Sequence, residues 1–253
     1  MAPKFKNLAD MRFYLYRSKS KIDMLYEQIY DSARRTRKVS LKAAVVSGEA
    51  TTEDAVDDED KLRAVERELE ERQLVGTLDE PKDYVKGTMR MRWGLFDDSG
   101  TRPPDDPPLV FFGGFDSAGP LAVGLGGSSK HVEGHEGATS TQSRSSTPAL
   151  VRWLLAGQDH GGPPELPGWW DMDAEEYELF GAVAMAIHYL RPPTQDLEFL
   201  AKVLSTGHIH GHEHFIGVPA ARAIVGTPLY VSLAHPMPDE TDRAWMLVGN
   251  NAA

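Results

Sequence analysis

Leu109 to Phe115 reads LVFFGGF and Leu121 to Leu125 reads LAVGL. Both runs are apolar, punctuated by glycine and too short for ordinary helices. They predict two buried strands, with the intervening GGFDSAGP supplying a turn. Upstream, Tyr84 to Phe96 (YVKGTMRMRWGLF) alternates over part of its length and predicts a third strand. The proline-rich segment Asp97 to Pro108 separates it from the next, because proline cannot join a ladder. Together these stretches predict an antiparallel meander with helices packed on one face.

The flanking sequence supplies candidates for those helices. Arg12 to Arg17 (RFYLYR) reads as a strand. Ser20 and Asp23 have capping-box spacing, and Ile22, Leu25, Tyr26 and Ile29 repeat at helical spacing. Leu41 to Val46 suits another strand. Leu62, Val65 and Leu69 form the apolar stripe of a helix that starts in acidic residues and that Gly76 can end. Gly134 to Ser146, small and polar, reads as a surface loop. Thr147 and Pro148 can open a helix over Ala149 to Ala156. Asp173 and Glu176 again have capping-box spacing, ahead of a buried stripe of Phe180, Val183, Ala184 and Ile187. Pro192 and Pro193 stop that helix, and Thr194 predicts a last one with Leu197, Leu200, Val203 and Leu204 inward and Gly207 at its end. Leu229 to Leu233 and Ala244 to Val248 read as strands. The fold class expected is α+β: an antiparallel or mixed sheet with helices on one face, as a single domain over residues 1–253. The alternative is a subdivision near residue 145, with 146–208 as a helical insertion.

Composition limits the chemistry. Cysteine is absent, so disulfides, thiolate nucleophiles and cysteine-ligated metals are excluded. A formal charge of -11 argues against general nucleic-acid binding, although Arg34, Arg35, Arg37 and Lys38 form a local basic run. No apolar run approaches the roughly 20 residues that cross a bilayer. The opening residues lack the features of a secretory signal, so the expected location is cytoplasmic and no membrane partner is expected.

Two stretches carry candidate sites. Gly207 to Phe215 reads GHIHGHEHF, with histidine at every second position. If this stretch is extended, His208, His210, His212 and His214 share one face. With Glu213 as a further ligand or general base, they could hold zinc or another divalent transition metal. The spacing matches neither HExxH nor HxHxDH, and the alternative is a glycine-flanked loop whose histidines titrate near neutral pH. The second stretch is GLGGSSKHVEGHEG, Gly124 to Gly137. Here Gly126, Gly127, Ser128, Lys130 and His131, with Gly113 and Gly114 on the neighbouring strand, could cradle a phosphate or carboxylate. It is neither a Walker loop nor a dinucleotide fingerprint; the alternative is a glycine-rich strand with a bulge. Trp153, Trp169 and Trp170 suit either an apolar pocket or a core. Glu53 to Asp60 lacks the order of a calcium loop and reads as a helix start.

Three stretches belong together: FYLYRSKSKIDMLYEQI (Phe13 to Ile29), FFGGFDSAGPLAVGLGGSSKHVEG (Phe111 to Gly134) and GTPLYVSLAHP (Gly226 to Pro236). The chain resembles an uncharacterised family of actinobacterial proteins with a similar FYLYxSxxKxDMLxxQI opening and a similar VGLGGSxxHVxG segment. The resemblance implies no activity, cofactor or catalytic set. It does favour the Gly124 to His131 region over the histidine cluster. The leading expectation is therefore a small-molecule protein that binds or senses an anionic ligand, in bacterial signalling or defence. The competing one is a metal-dependent hydrolase or oxygenase built on the histidines. A third is an assembly subunit, a homo-oligomer or partner-binding protein that packs through RFYLYR and the paired tryptophans.

Overall fold

The computed structural model describes residues 12–40, 56–96, 109–116, 118–134, 174–190, 193–210 and 220–234. The described elements are β1 (Phe13–Arg17), α1 (Lys19–Ser40), α2 (Asp58–Glu71), β2 (Val75–Gly76), β3 (Tyr84–Phe96), β4 (Leu109–Asp116), β5 (Leu121–Ser128), α3 (Ala174–Tyr189), β6 (Gln195–His210) and β7 (Ala220–Leu233). The expected strands over Leu41 to Val46 and Ala244 to Val248, the Gly134 to Ser146 loop beyond Gly134 and the helix over Ala149 to Ala156 lie outside the described residues.

The sheet is mixed, and it closes on itself. β3 pairs with β4, β4 with β5 and β6 with both β3 and β7, all antiparallel, while β5 pairs with β7 in parallel. The result is a five-stranded barrel, which corrects the expected sheet with helices on one face. Strands from both sides of residue 145 contribute to it. A closed ring removes the open edges that a meander would leave. Its interior is filled by alternate residues of each strand: Met89 and Met91, Val110 and Phe112, Val123 and Leu125, Leu197 and Phe199 are all essentially buried.

Helices cover two outer sectors of the barrel. Phe180, Val183, Ile187 and Leu190 bring α3 and its C-terminal end onto β4, β5, β6 and β7. This contact depends on glycine. A Cβ at Gly113 would lie 2.7 Å from Ile187, one at Gly124 2.7 Å from Val183, and one at Gly207 2.4 Å from Phe180. The helix therefore sits in notches left by missing side chains. On the other sector, Leu62, Val65 and Leu69 of α2 and Ile22 of α1 pack against Tyr84, Leu200, Leu229 and Tyr230.

A second correction concerns the segment after Thr194, which is strand β6 and not a helix. Leu197, Phe199 and Ala201 point into the barrel, whereas Leu200 faces α2 and Ile209 faces α3. Leu200 is buried on the outer face and Leu204 is apolar although exposed, so the period-2 signature is broken and apolar residues at 197, 200, 203 and 204 also fit a helical stripe. Gly76 does not end α2 either. The helix stops at Glu71, and Gln73 takes the left-handed turn at φ 58°. Among the described residues, no helix is long and apolar enough to cross a membrane.

Candidate functional site

β7 has an unusual edge. Its first half pairs with β5, ending at the partners Leu125 and Gly226, and its last residues pair with β1, from Tyr230 onward. Thr227 to Leu229 lie at the splice between the two partners. Here β1 ends, Ser18 turns the chain and α1 begins at Lys19; the Ser18 amide donates to the Leu229 carbonyl at 2.8 Å. From the other side, β5 ends at Ser128 and a single 3-10 turn, Ser129–His131, carries the chain to Val132, which bridges Tyr16.

This splice gathers polar side chains from three distant segments. The Lys21 ammonium donates to the Thr227 hydroxyl. Ser20 Oγ lies 3.3 Å from His131 Nε2. The Tyr16 ring meets His131 edge-on, with centroids 5.9 Å apart. The Tyr16 and Ser18 hydroxyls are buried and neither meets full hydrogen-bond geometry with a partner among the described residues, although Ser18 and the Ser128 backbone lie close enough to act on the Tyr16 phenol. The Tyr16 ring occupies the space a side chain would need at Gly127, with its hydroxyl 2.6 Å from the position of a Cβ.

The electrostatics of the splice are one-sided. Burial lowers the Lys21 amine to about 8. Burial also lowers the His131 imidazole to about 4, and Lys130, Lys21 and Lys19 lower it further. At neutral pH His131 is therefore uncharged and can either accept from Ser20 or donate to it. Burial raises the Tyr16 phenol to about 12, against the pull of Ser18 and the Ser128 backbone. The first turn of α1 holds no acidic residue, although a helix N-terminus favours negative charge. Two neighbouring cations are already paired, Arg17 with Glu133 at 2.6 Å and Lys19 with Asp58 at 3.1 Å. Among the described residues Lys21 and Lys130 have no carboxylate partner.

The seven residues expected to cradle an anion do not form one group. Gly113 and Gly114 lie toward the β4–β5 turn, whereas Ser128, Lys130 and His131 lie past the other end of the hairpin. Gly113 pairs with Gly124, four residues before Ser128, which puts the two groups roughly 13 Å apart along the strand. Gly126 and Gly127 are buried within β5. Ser20, Lys21 and Thr227 complete the cluster, and spacing in the sequence does not point to them as site residues. One signal was available: two lysines in the first turn of a helix run against the dipole preference.

At the turn end of the barrel a cleft of about 1290 Å³ opens beside Gly113, Gly114, Asp116 and His208. Its arginines are committed to acceptors. Arg90 lies 3.8 Å from Asp196, Arg92 donates to the Leu190 carbonyl at 3.1 Å, and Arg222 donates to both the carbonyl and the carboxylate of Asp79. The expected metal ligands fall near this cleft only in part. His208 and His210 occupy alternate positions of β6, as an extended chain requires, and His208 lines the cleft. His212, Glu213 and His214 lie outside the described residues. Among the described residues no three histidine or acidic side chains are grouped to hold a metal.

The three segments that meet at the β7 splice are the three that carry the family likeness: Phe13 to Ile29, Phe111 to Gly134 and Gly226 to Pro236. No curated protein and no solved structure matches the chain. Residues 12–235 do match a family model, and the chain belongs to that family of unknown function, DUF7019.

Proposed function

We propose that this protein binds a small anionic ligand, through a phosphate or carboxylate group, at the splice between β5 and β1. The observation that carries this reading is the half-buried Lys21 ammonium, which donates to a neutral hydroxyl and has no carboxylate partner among the described residues. A buried charge normally has a counter-charge. The N-terminus of α1 adds its own partial positive charge to the same spot. In a chain of net charge -11, an uncompensated positive locus is poorly explained by packing alone. An anion there would accept from Lys21 and Ser20, and the exposed Lys130 would draw it in by long-range attraction. His131 stays neutral until a bound anion offsets the lysines.

Titration of the protein with inorganic phosphate, followed by calorimetry and by thermal unfolding, tests the proposal. Saturable binding that weakens by roughly ten- to a hundredfold in Lys21→Met is expected, the range for losing a hydrogen bond to a charged group. Equal binding by the two proteins would end it. Binding lost instead in Arg222→Ala would move the ligand to the cleft at the turn end of the barrel.

A further inference from the structure

We propose that Lys21 is an amine nucleophile that condenses with the carbonyl of a small anionic aldehyde or keto acid to form an imine. This rests on the anion-binding reading of the same site and adds chemistry to it. Three features of the geometry support it. The Lys21 nitrogen is half-buried and is held by a hydroxyl, with no carboxylate partner among the described residues. A carboxylate partner would keep the amine protonated, whereas Thr227 Oγ1 accepts one N–H and leaves the lone pair free once the amine is neutral. Ser20 and His131 form a hydrogen-bonded pair beside it, and the imidazole feels the charge of Lys21 directly. An uncharged imidazole can both take and return a proton, as carbonyl condensation requires. Finally, the positive end of α1 and Lys130 would hold the carboxylate or phosphate of the same molecule, placing its carbonyl near the amine. The lowered affinity of the Lys21 amine for protons supports the same conclusion, since lysines become nucleophiles when desolvated or set among other cations.

The step balances without an oxidant or reductant. The nitrogen lone pair adds to the carbonyl carbon, forming the C–N bond and a carbinolamine. The two N–H protons pass in turn from nitrogen to oxygen by way of His131, the first giving the carbinolamine hydroxyl and the second the water that departs. The C–O bond then breaks, the C=N bond forms and water leaves. Reversal releases the carbonyl compound, and a ligand with an acidic hydrogen beside the carbonyl would have it further acidified by the iminium.

The test uses the full chain and glyoxylate, an anionic aldehyde, with borohydride added to reduce any imine to a stable secondary amine. Intact mass and peptide mapping then locate the adduct. The expected result is a single adduct on Lys21, formed roughly tenfold faster than on an exposed lysine. Its rate should rise through pH 8, and neutral propionaldehyde should give far less. His131→Gln should slow the adduct without abolishing it. Lys21→Arg separates the two readings, since it keeps the positive charge and removes the nucleophile; it should still bind phosphate while losing the adduct. Adducts scattered over surface lysines and unchanged in Lys21→Arg would overturn the amine chemistry, and phosphate binding by both proteins would then leave the anion site standing. A Lys21 adduct equal for glyoxylate and propionaldehyde, without phosphate binding, would overturn the anion-directed proposal.

Discussion

Two clusters of charge flank Tyr230 and Thr227 on β7, and they are built on opposite plans. In the first, Glu66 of α2 is almost buried. It accepts from Arg12 at 2.9 Å, pairs with Lys86 at 2.7 Å and receives the Tyr230 hydroxyl at 3.3 Å, while Tyr230 also donates to Glu198 at 2.9 Å. Burial alone would raise the Glu66 carboxyl, but its hydrogen bonds from Arg12 and Lys86 outweigh that and hold it below the ordinary carboxylate value. In the second cluster Lys21 donates to Thr227, and Lys130, Lys21 and Lys19 together act on the His131 imidazole. The first cluster is complete within the fold and pins α2 to the barrel. The second has no carboxylate partner for Lys21 among the described residues. Charge that a fold satisfies internally reads as structure, and charge left open at comparable depth reads as a site.

Four measurements would break or sharpen this contrast. The largest effect should come from Glu66→Ala, which removes the buried carboxylate that Arg12 and Lys86 share and leaves them only their more exposed partners, Glu198 and Glu70. Denaturant unfolding should show a loss of about 2 to 4 kcal/mol, below the range for fully buried pairs because both cations keep some solvent contact. A loss under about half a kcal/mol would mean that the closed cluster is dispensable.

The second effect is acid sensitivity through His131. Its imidazole sits at about 4 in the folded protein, against an ordinary 6.5. Between those values the unfolded chain holds more protons, so stability falls as pH drops from 6.5 toward 4, by on the order of 2 kcal/mol. Glu66 has the opposite starting point but the same sign, because its depressed carboxyl loses its contribution only as pH falls below the ordinary carboxylate value. The upper part of the acid limb, above pH 5, therefore belongs to the imidazole. His131→Gln should flatten it, and an unchanged limb in that variant would contradict the burial described for the ring.

Third, removing the open charge should help the empty protein. Lys21→Met trades a half-buried, uncompensated ammonium for an apolar side chain of similar length. It should gain about 1 kcal/mol at pH 7, after allowing for the lost Thr227 hydrogen bond. Added phosphate should raise the melting temperature of the wild type and require roughly ten- to a hundredfold more to raise that of the variant equally. Destabilisation by Lys21→Met would show that the fold already compensates the lysine. The smallest effect belongs to Arg90→Ala. Its pair with Asp196 is largely exposed, so unfolding should change by under about half a kcal/mol and phosphate binding should not change.

Elements with a single buried face could be read directly from the sequence. Leu62, Val65 and Leu69 fall on a helix that buries that stripe, because one apolar stripe on a polar background has few other meanings, whereas Phe180, Val183, Ala184 and Ile187 fall on a helix that is buried all round from Phe180 to Ile187. β6 was hidden because Leu200 and Leu204 put apolar side chains on its outer face, one of them buried and one exposed, and so mimic a helical stripe. Closure of the ring was also hidden, since the β5–β7 pairing joins segments on either side of a long stretch of chain and no local pattern encodes it. The site was half legible. Ser128, Lys130 and His131 stand out as polar residues after a glycine-rich strand, but Lys21 and Thr227 become partners only through that same closure. The glycines at 113 and 124 suggest an open backbone, yet they are filled from outside by the side chains of α3.

The shared edge of β7 also dictates an order of events during folding. β3, β4 and β5 can form from neighbouring sequence, whereas the β5–β7 contact demands closure of a long loop, the slow kind of contact in any folding reaction. Thr227 reaches Lys21 only after that contact exists. Any state in which β7 has peeled away, through heat, truncation or incomplete synthesis, would therefore lack the lysine's environment altogether. The proposed anion binding should report an intact ring, all or none.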